Sequence, residues 1–155
     1  MPHSFRNTML IMLEGALCAA VAVALSRLPL FEVPQGGSVD LELAPLLVFA
    51  WHRGALWGCG VGALSGMGSG LLGSSIYAPV QGFLDYPLAY ACTGLAALFR
   101  RRRLGYVWGL LLAAACQLLC HVVSGVIFFA QYAPEGQSPL VYSLIYNGSD
   151  RKSVV

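Results

Sequence analysis

Asp85 and His121 are ionisable residues placed several positions inside long apolar stretches. Charge is costly in such surroundings, so groups of this kind usually face the interior of a helix bundle or a water-filled cavity. Around them the chain supplies aromatic faces from Tyr86, Phe128, Phe129, Tyr142 and Tyr146, and hydrogen-bonding groups from Gln81 and Asn147. A carboxylate among aromatic rings suits a small aromatic ligand that is cationic or rich in amino groups. The competing reading is a buried structural Asp–His pair beside an interfacial aromatic belt. Glu14, in the first apolar stretch, fits a structural hydrogen bond as well as a functional role, and Arg27 reads as a snorkelling anchor.

Other chemistries find less support. Cys18, Cys59, Cys92, Cys116 and Cys120 all sit in apolar segments, and their odd number and burial argue against a disulfide framework. Cys116, Cys120 and His121 share part of one helix, but a zinc site needs more ligands at tetrahedral reach, so no metal or other cofactor is expected. Lys152 is the only lysine, which rules out a Gly-x-x-x-x-Gly-Lys phosphate loop, so any ATP hydrolysis must come from a partner. His121 with Ser124 or Asp85 could form a base–nucleophile set, but no oxyanion-hole or nucleophile-elbow sequence accompanies it. No basic tract interleaved with aromatics suggests nucleic acid.

The elements that must position these residues are membrane helices. The chain is 57% hydrophobic and 10% charged with a mean hydropathy of +0.70, too apolar for a soluble domain of 155 residues. The spacing predicts a first helix over residues 8–28, a loop over 31–38 containing Pro34, Gly36 and Gly37, and a shorter helix over 41–51, tilted or partly re-entrant. After the turn at His52-Arg53-Gly54 a third helix carries Gly54, Gly58, Gly62, Gly66 and Gly70 at four-residue intervals. Five glycines on one face imply that another backbone passes close by. The ladder alone would also fit a purely structural membrane subunit.

A fourth helix is expected from about Pro79 to Phe99, a fifth from Leu104 to about Phe129, and a sixth from about Pro139 that stops short after Ile145. Ala16, Ala20 and Ala24 make a smooth stripe on the first helix, suited to packing inside the subunit or against another one. Arg6, Arg53 and Arg100 to Arg103 alternate along the chain with Glu32, Asp40, Glu42 and Glu135. Positive charge favours the cytoplasmic side, so the N-terminus is expected inside and the loops around 31–40, 73–79 and 130–138 outside.

Three segments carry a resemblance. LDYPLA at 84–89, HVVSGVIFFAQYAPEG at 121–136 and YSLIYNGS at 142–149 resemble the thiamine-specific substrate-binding (S) component of energy-coupling-factor transporters, the ThiT family. The likeness implies a six-helix S-component bundle in a prokaryotic cell membrane, capturing thiamine outside and working with a transmembrane coupling protein and two ATPase subunits. It implies a substrate-binding transport subunit, not an enzyme. It places the family's pocket residues on Asp85, Tyr86, His121, Gly125, Phe129, Tyr142 and Asn147, and its docking stripe on Ala16, Ala20 and Ala24.

The chain departs from the family pattern in having Gln117 where some members have a basic residue. It also has Gly36 and Gly37 where some have tryptophan, and Tyr77 displaced from its expected position. Another aromatic vitamin or precursor is the alternative ligand. The last six residues, 150–155, are what one frame of a common sequencing adapter would encode. The expectation is therefore one transmembrane domain over 1–149, with its sixth helix truncated, followed by a non-native tail.

Overall fold

In the computed structural model, residues 3–28, 31–32, 38–39, 41–73, 79–128, 138 and 140–143 are described. Helix α1 spans His3–Leu25, α2 Leu43–Arg53, α3 Ala55–Gly73 and α5 Gly105–Phe128. Between α3 and α5, Pro79–Phe83, Leu84–Leu88, Ala89–Ala91 and Cys92–Phe99 follow one another without a break as one rod, α4. The start of a sixth helix, α6, is described over residues 140–143. The expected loop over 31–38 contains a small antiparallel ribbon instead, β1 (Phe31–Glu32) and β2 (Ser38–Val39), with Phe31 opposite Val39. Otherwise the fold is the expected all-α bundle.

The bundle is apolar outside, and several polar side chains are buried inside beside its apolar core. Leu13 and Leu17 of α1, Leu56, Leu64 and Leu71 of α3, and Leu111, Leu119 and Ile127 of α5 are exposed, whereas Ser65, Ser69, Gln81, Thr93, Gln117 and Ser124 are buried. That distribution suits a hydrocarbon solvent, in which polar groups must find partners within the protein. Among the described residues, three helical stretches are long and apolar enough to cross a membrane: Arg6–Leu25, Ala55–Leu72 and Gly105–Phe128. With 11 residues, α2 reaches only about 16 Å and crosses part of a hydrocarbon layer about 30 Å thick.

The glycine ladder has a definite partner, and it is α4. A Cβ at Gly62 would run into the carbonyl of Tyr90, one at Gly66 into the carbonyl of Tyr86, and one at Gly58 into Gly94 and Ala50. Gly70 lies under the Tyr86 ring. Gly54 serves a different end: at φ 98° it makes the turn from α2 to α3, and its N–H donates to the Ala50 carbonyl at 2.7 Å. On the other side of α4, Gly105 and Gly109 of α5 press against the carbonyls of Phe99 and Ala96. Glycine on both flanks thus clamps α4 between α3 and α5. Ala19, Ala22, Leu46, Phe49, Val61, Ala89 and Tyr90 fill the core where α1 to α4 meet.

The rod α4 is less regular than its hydropathy suggests. Pro87 has no N–H to donate, and around it the Ala89 N–H reaches the Leu84 carbonyl five residues back, forming a π-turn over Leu84–Leu88. Beyond Ala91 the rod tightens into a 3₁₀ segment, Cys92–Phe99. Helices α4 and α5 are joined by a sharp reversal through Arg100–Arg103 and Leu104, which takes a positive φ of 55°.

Candidate ligand-binding site

The π-turn carries Asp85 into contact with α5. Gln81, one turn earlier on α4, donates from Nε2 to Asp85 Oδ2 at 2.9 Å, and Ser124 Oγ donates to the same oxygen at 2.9 Å. His121 Nδ1 lies 3.2 Å from Oδ1. The Asp85 side chain is 14% exposed and that of His121 22%, while Gln81 and Ser124 are fully buried. Three donors from two helices therefore fix a carboxylate that water barely reaches. Such preorganised negative charge attracts a cation or an N–H donor without first being reoriented.

Tyr86 follows Asp85 in the same turn and rests its ring on Gly70, so the glycine that admits the ring also sets its plane. Gly125 lies half-buried on α5 one turn beyond His121. The start of α6 is pinned to α5 by Ser143, whose Oγ donates to the Val122 carbonyl at 3.1 Å. That bond brings the preceding residue, half-buried Tyr142, to the level of His121. Ser138 steadies the turn, its carbonyl accepting from Tyr142 N–H at 3.0 Å and its hydroxyl from Val141 N–H at 3.3 Å. Asp85, Tyr86 and His121 thus gather where α4 meets α5, Gly125 follows one turn along α5, and Tyr142 stands at the start of α6 beside it. Phe129 and Asn147 lie outside the described residues.

Gln81 and Ser124, named in the sequence as a hydrogen-bonding group and as a possible partner of His121, both turn out to hold Asp85. Their signal was spacing: Gln81 precedes Asp85 by four residues and Ser124 follows His121 by three, so each pair shares a helix face. The Ser124 hydroxyl donates its hydrogen bond to the carboxylate. Among the described residues, no three His, Cys, Asp or Glu side chains converge as a metal set.

Other polar residues have structural partners. Glu14 pairs with Arg53 across α1 and the end of α2, with Arg53 Nε donating to Oε2 at 2.7 Å. Glu42 is buried at the N-terminus of α2, where it accepts from Ser69 Oγ at 3.0 Å. Gln117 is buried one turn before His121. Ala16, Ala20 and Ala24 are exposed on α1, so the stripe does not pack within the subunit. Among the described residues, Gly15, Ala19 and Ala22 are the buried positions of α1, with Ile11 and Cys18 packed partly against the core.

The family described as thiamine transporter protein (Thia_YuaJ) matches residues 12–153. The chain belongs to this family. Thiamine transporter family members are transport components, and this chain is one of them rather than an enzyme, in a multi-pass membrane fold. It is 33% identical to the thiamine transporter ThiT of Lacticaseibacillus paracasei (strain ATCC 334), covering 90% of this chain and 78% of that relative. It is 30% identical to the thiamine transporter ThiT of Bacillus subtilis (strain 168), covering 89% and 80% respectively. The solved structure of ThiT from Listeria monocytogenes superposes with a TM-score of 0.81 at 27% identity, over 92% of this chain and 85% of that one.

Proposed function

We propose that this thiamine-transporter family member captures thiamine in the site built on Asp85 and hands it to an ATP-driven energy-coupling-factor complex. The observation that carries the reading is the Asp85 carboxylate, nearly buried and held by Gln81, Ser124 and His121. Thiamine joins an aminopyrimidine to a cationic thiazolium ring. A fixed carboxylate can accept from the amino group or face the cation, while Tyr86 and Tyr142 offer ring faces for stacking. His121 and Asn147 orient the ligand, Gly125 leaves it room, and Phe129 adds a further aromatic face.

In this reading the arginine-rich end of the bundle is cytoplasmic and the site opens outside. The exposed alanine stripe of α1 is the docking face for the transmembrane coupling protein, which brings two ATPase subunits. Thiamine titration of the purified protein, followed by quenching of intrinsic fluorescence, tests the assignment. Saturation at micromolar thiamine is expected for the native protein. Asp85→Asn, which keeps the shape and removes the charge, is expected to weaken binding about a hundredfold. No saturable response in the native protein, or equal affinity in Asp85→Asn, would sink the proposal.

A further inference from the structure

The end of the bundle remote from Asp85 carries a second constellation that thiamine capture leaves unused. Where α4 reverses into α5, Phe99, Arg102, Arg103 and Trp108 line an open cavity of about 460 Å³. Its two arginines are exposed, and among the described residues no carboxylate pairs with them. Three acids of the helices are engaged elsewhere: Glu14 with Arg53, Glu42 with Ser69, and Asp85 with Gln81, Ser124 and His121. Arg100 is also set apart, its guanidinium lying over Gly54 at the α2–α3 turn. Leu104, with its positive φ, produces the sharp turn that keeps Arg102 and Arg103 beside Trp108.

The lining is amphiphilic, and that decides between occupants. Guanidinium groups match the oxygens of a phosphate in paired hydrogen bonds. A free phosphate would leave Phe99 and Trp108 unused, and beside them in the turn and one turn on along α5 stand the exposed apolar residues Leu104 and Leu111. Tryptophan favours the boundary between headgroups and hydrocarbon, and basic pockets at that level attract anionic lipids. We propose that this cavity binds an anionic phospholipid, its phosphate between Arg102 and Arg103 and an acyl chain running along Trp108 and the outer face of α5.

Quenching of tryptophan by lipids with brominated chains tests this in the full-length protein. Trp108 is isolated as the difference between the native protein and Trp108→Phe, after reconstitution in phosphatidylcholine. Brominated phosphatidylglycerol is expected to half-quench that component at about a tenfold lower mole fraction than brominated phosphatidylcholine, as one or two arginines at a lipid surface provide. Arg102→Gln/Arg103→Gln should bring the ratio close to one, and raising the salt should shrink it in the native protein even if the double variant fails to fold. Equal quenching by both lipids would overturn the proposal and leave the arginines to topology or to an acidic protein partner. A preference that survives both the double variant and high salt would also overturn it, as would displacement of phosphatidylglycerol by inorganic phosphate.

Discussion

Asp85 is a charge whose surroundings do most of its work. Of the four hydrogen-bonding positions on its two oxygens, the protein fills three, so the carboxylate meets a ligand in one orientation. Ser124→Ala removes one of those donors and leaves the charge. Affinity for thiamine should fall about five- to tenfold, somewhat less than the full worth of a hydrogen bond to a charged group because the bond is made to the carboxylate and not to the ligand. In an Asp85→Asn background the same change should cost little more, because the two residues act as one unit; calorimetric titration of the four proteins measures this coupling. Asp85, Tyr86 and His121 stood out in the sequence because charged and aromatic groups are expensive or distinctive in an apolar helix. Gln81 and Ser124 were visible only as a general hydrogen-bonding group and as one member of a base–nucleophile alternative, since an uncharged polar side chain in such a helix does not name its partner.

At the scale of the element, the site depends on how tightly α4 is held. The glycine ladder announced a close backbone neighbour, but periodicity alone could not say which helix would fill that groove. The π-turn was less legible still: hydropathy is blind to which carbonyl an N–H reaches, and Pro87 was the one local sign that α4 departs from regular helix. Two glycines on α3 separate the contributions of space and propensity. Gly66→Ala would push a methyl group against the Tyr86 carbonyl and should destabilise by about 1–3 kcal/mol, with weaker thiamine binding because the Asp85–Tyr86 turn must shift. At Gly60 an added Cβ meets nothing within 4 Å, so Gly60→Ala should leave binding intact and raise stability by up to about 1 kcal/mol. Thermal unfolding in detergent, run beside a thiamine titration, reads both effects. Equal stabilisation by the two substitutions would mean that helix propensity, not close approach, sets the outcome.

For the whole molecule, the apolar outer surface means that a small exposed patch on a helix need not be a packing residue. On α1 the two roles interleave: Ala19 and Ala22 are buried against α2, α3 and α4, while Ala16, Ala20 and Ala24 face away from the bundle. Spacing alone could not separate these sets, because both are runs of small residues on one helix. Glu14 is exposed between them, and its ion pair with Arg53, with side chains 47% and 37% exposed, ties α1 to α2 by no more than about 1 kcal/mol. Ala19→Phe should overpack the core and lower the unfolding temperature. Ala20→Phe should leave the unfolding temperature and thiamine affinity of the isolated protein unchanged, yet abolish thiamine uptake by cells that supply the coupling protein and ATPases. A bulky ring on a smooth docking stripe prevents close helix approach without touching the pocket. Normal uptake by Ala20→Phe would remove the stripe from the docking face, and a lowered unfolding temperature would place it in the fold instead.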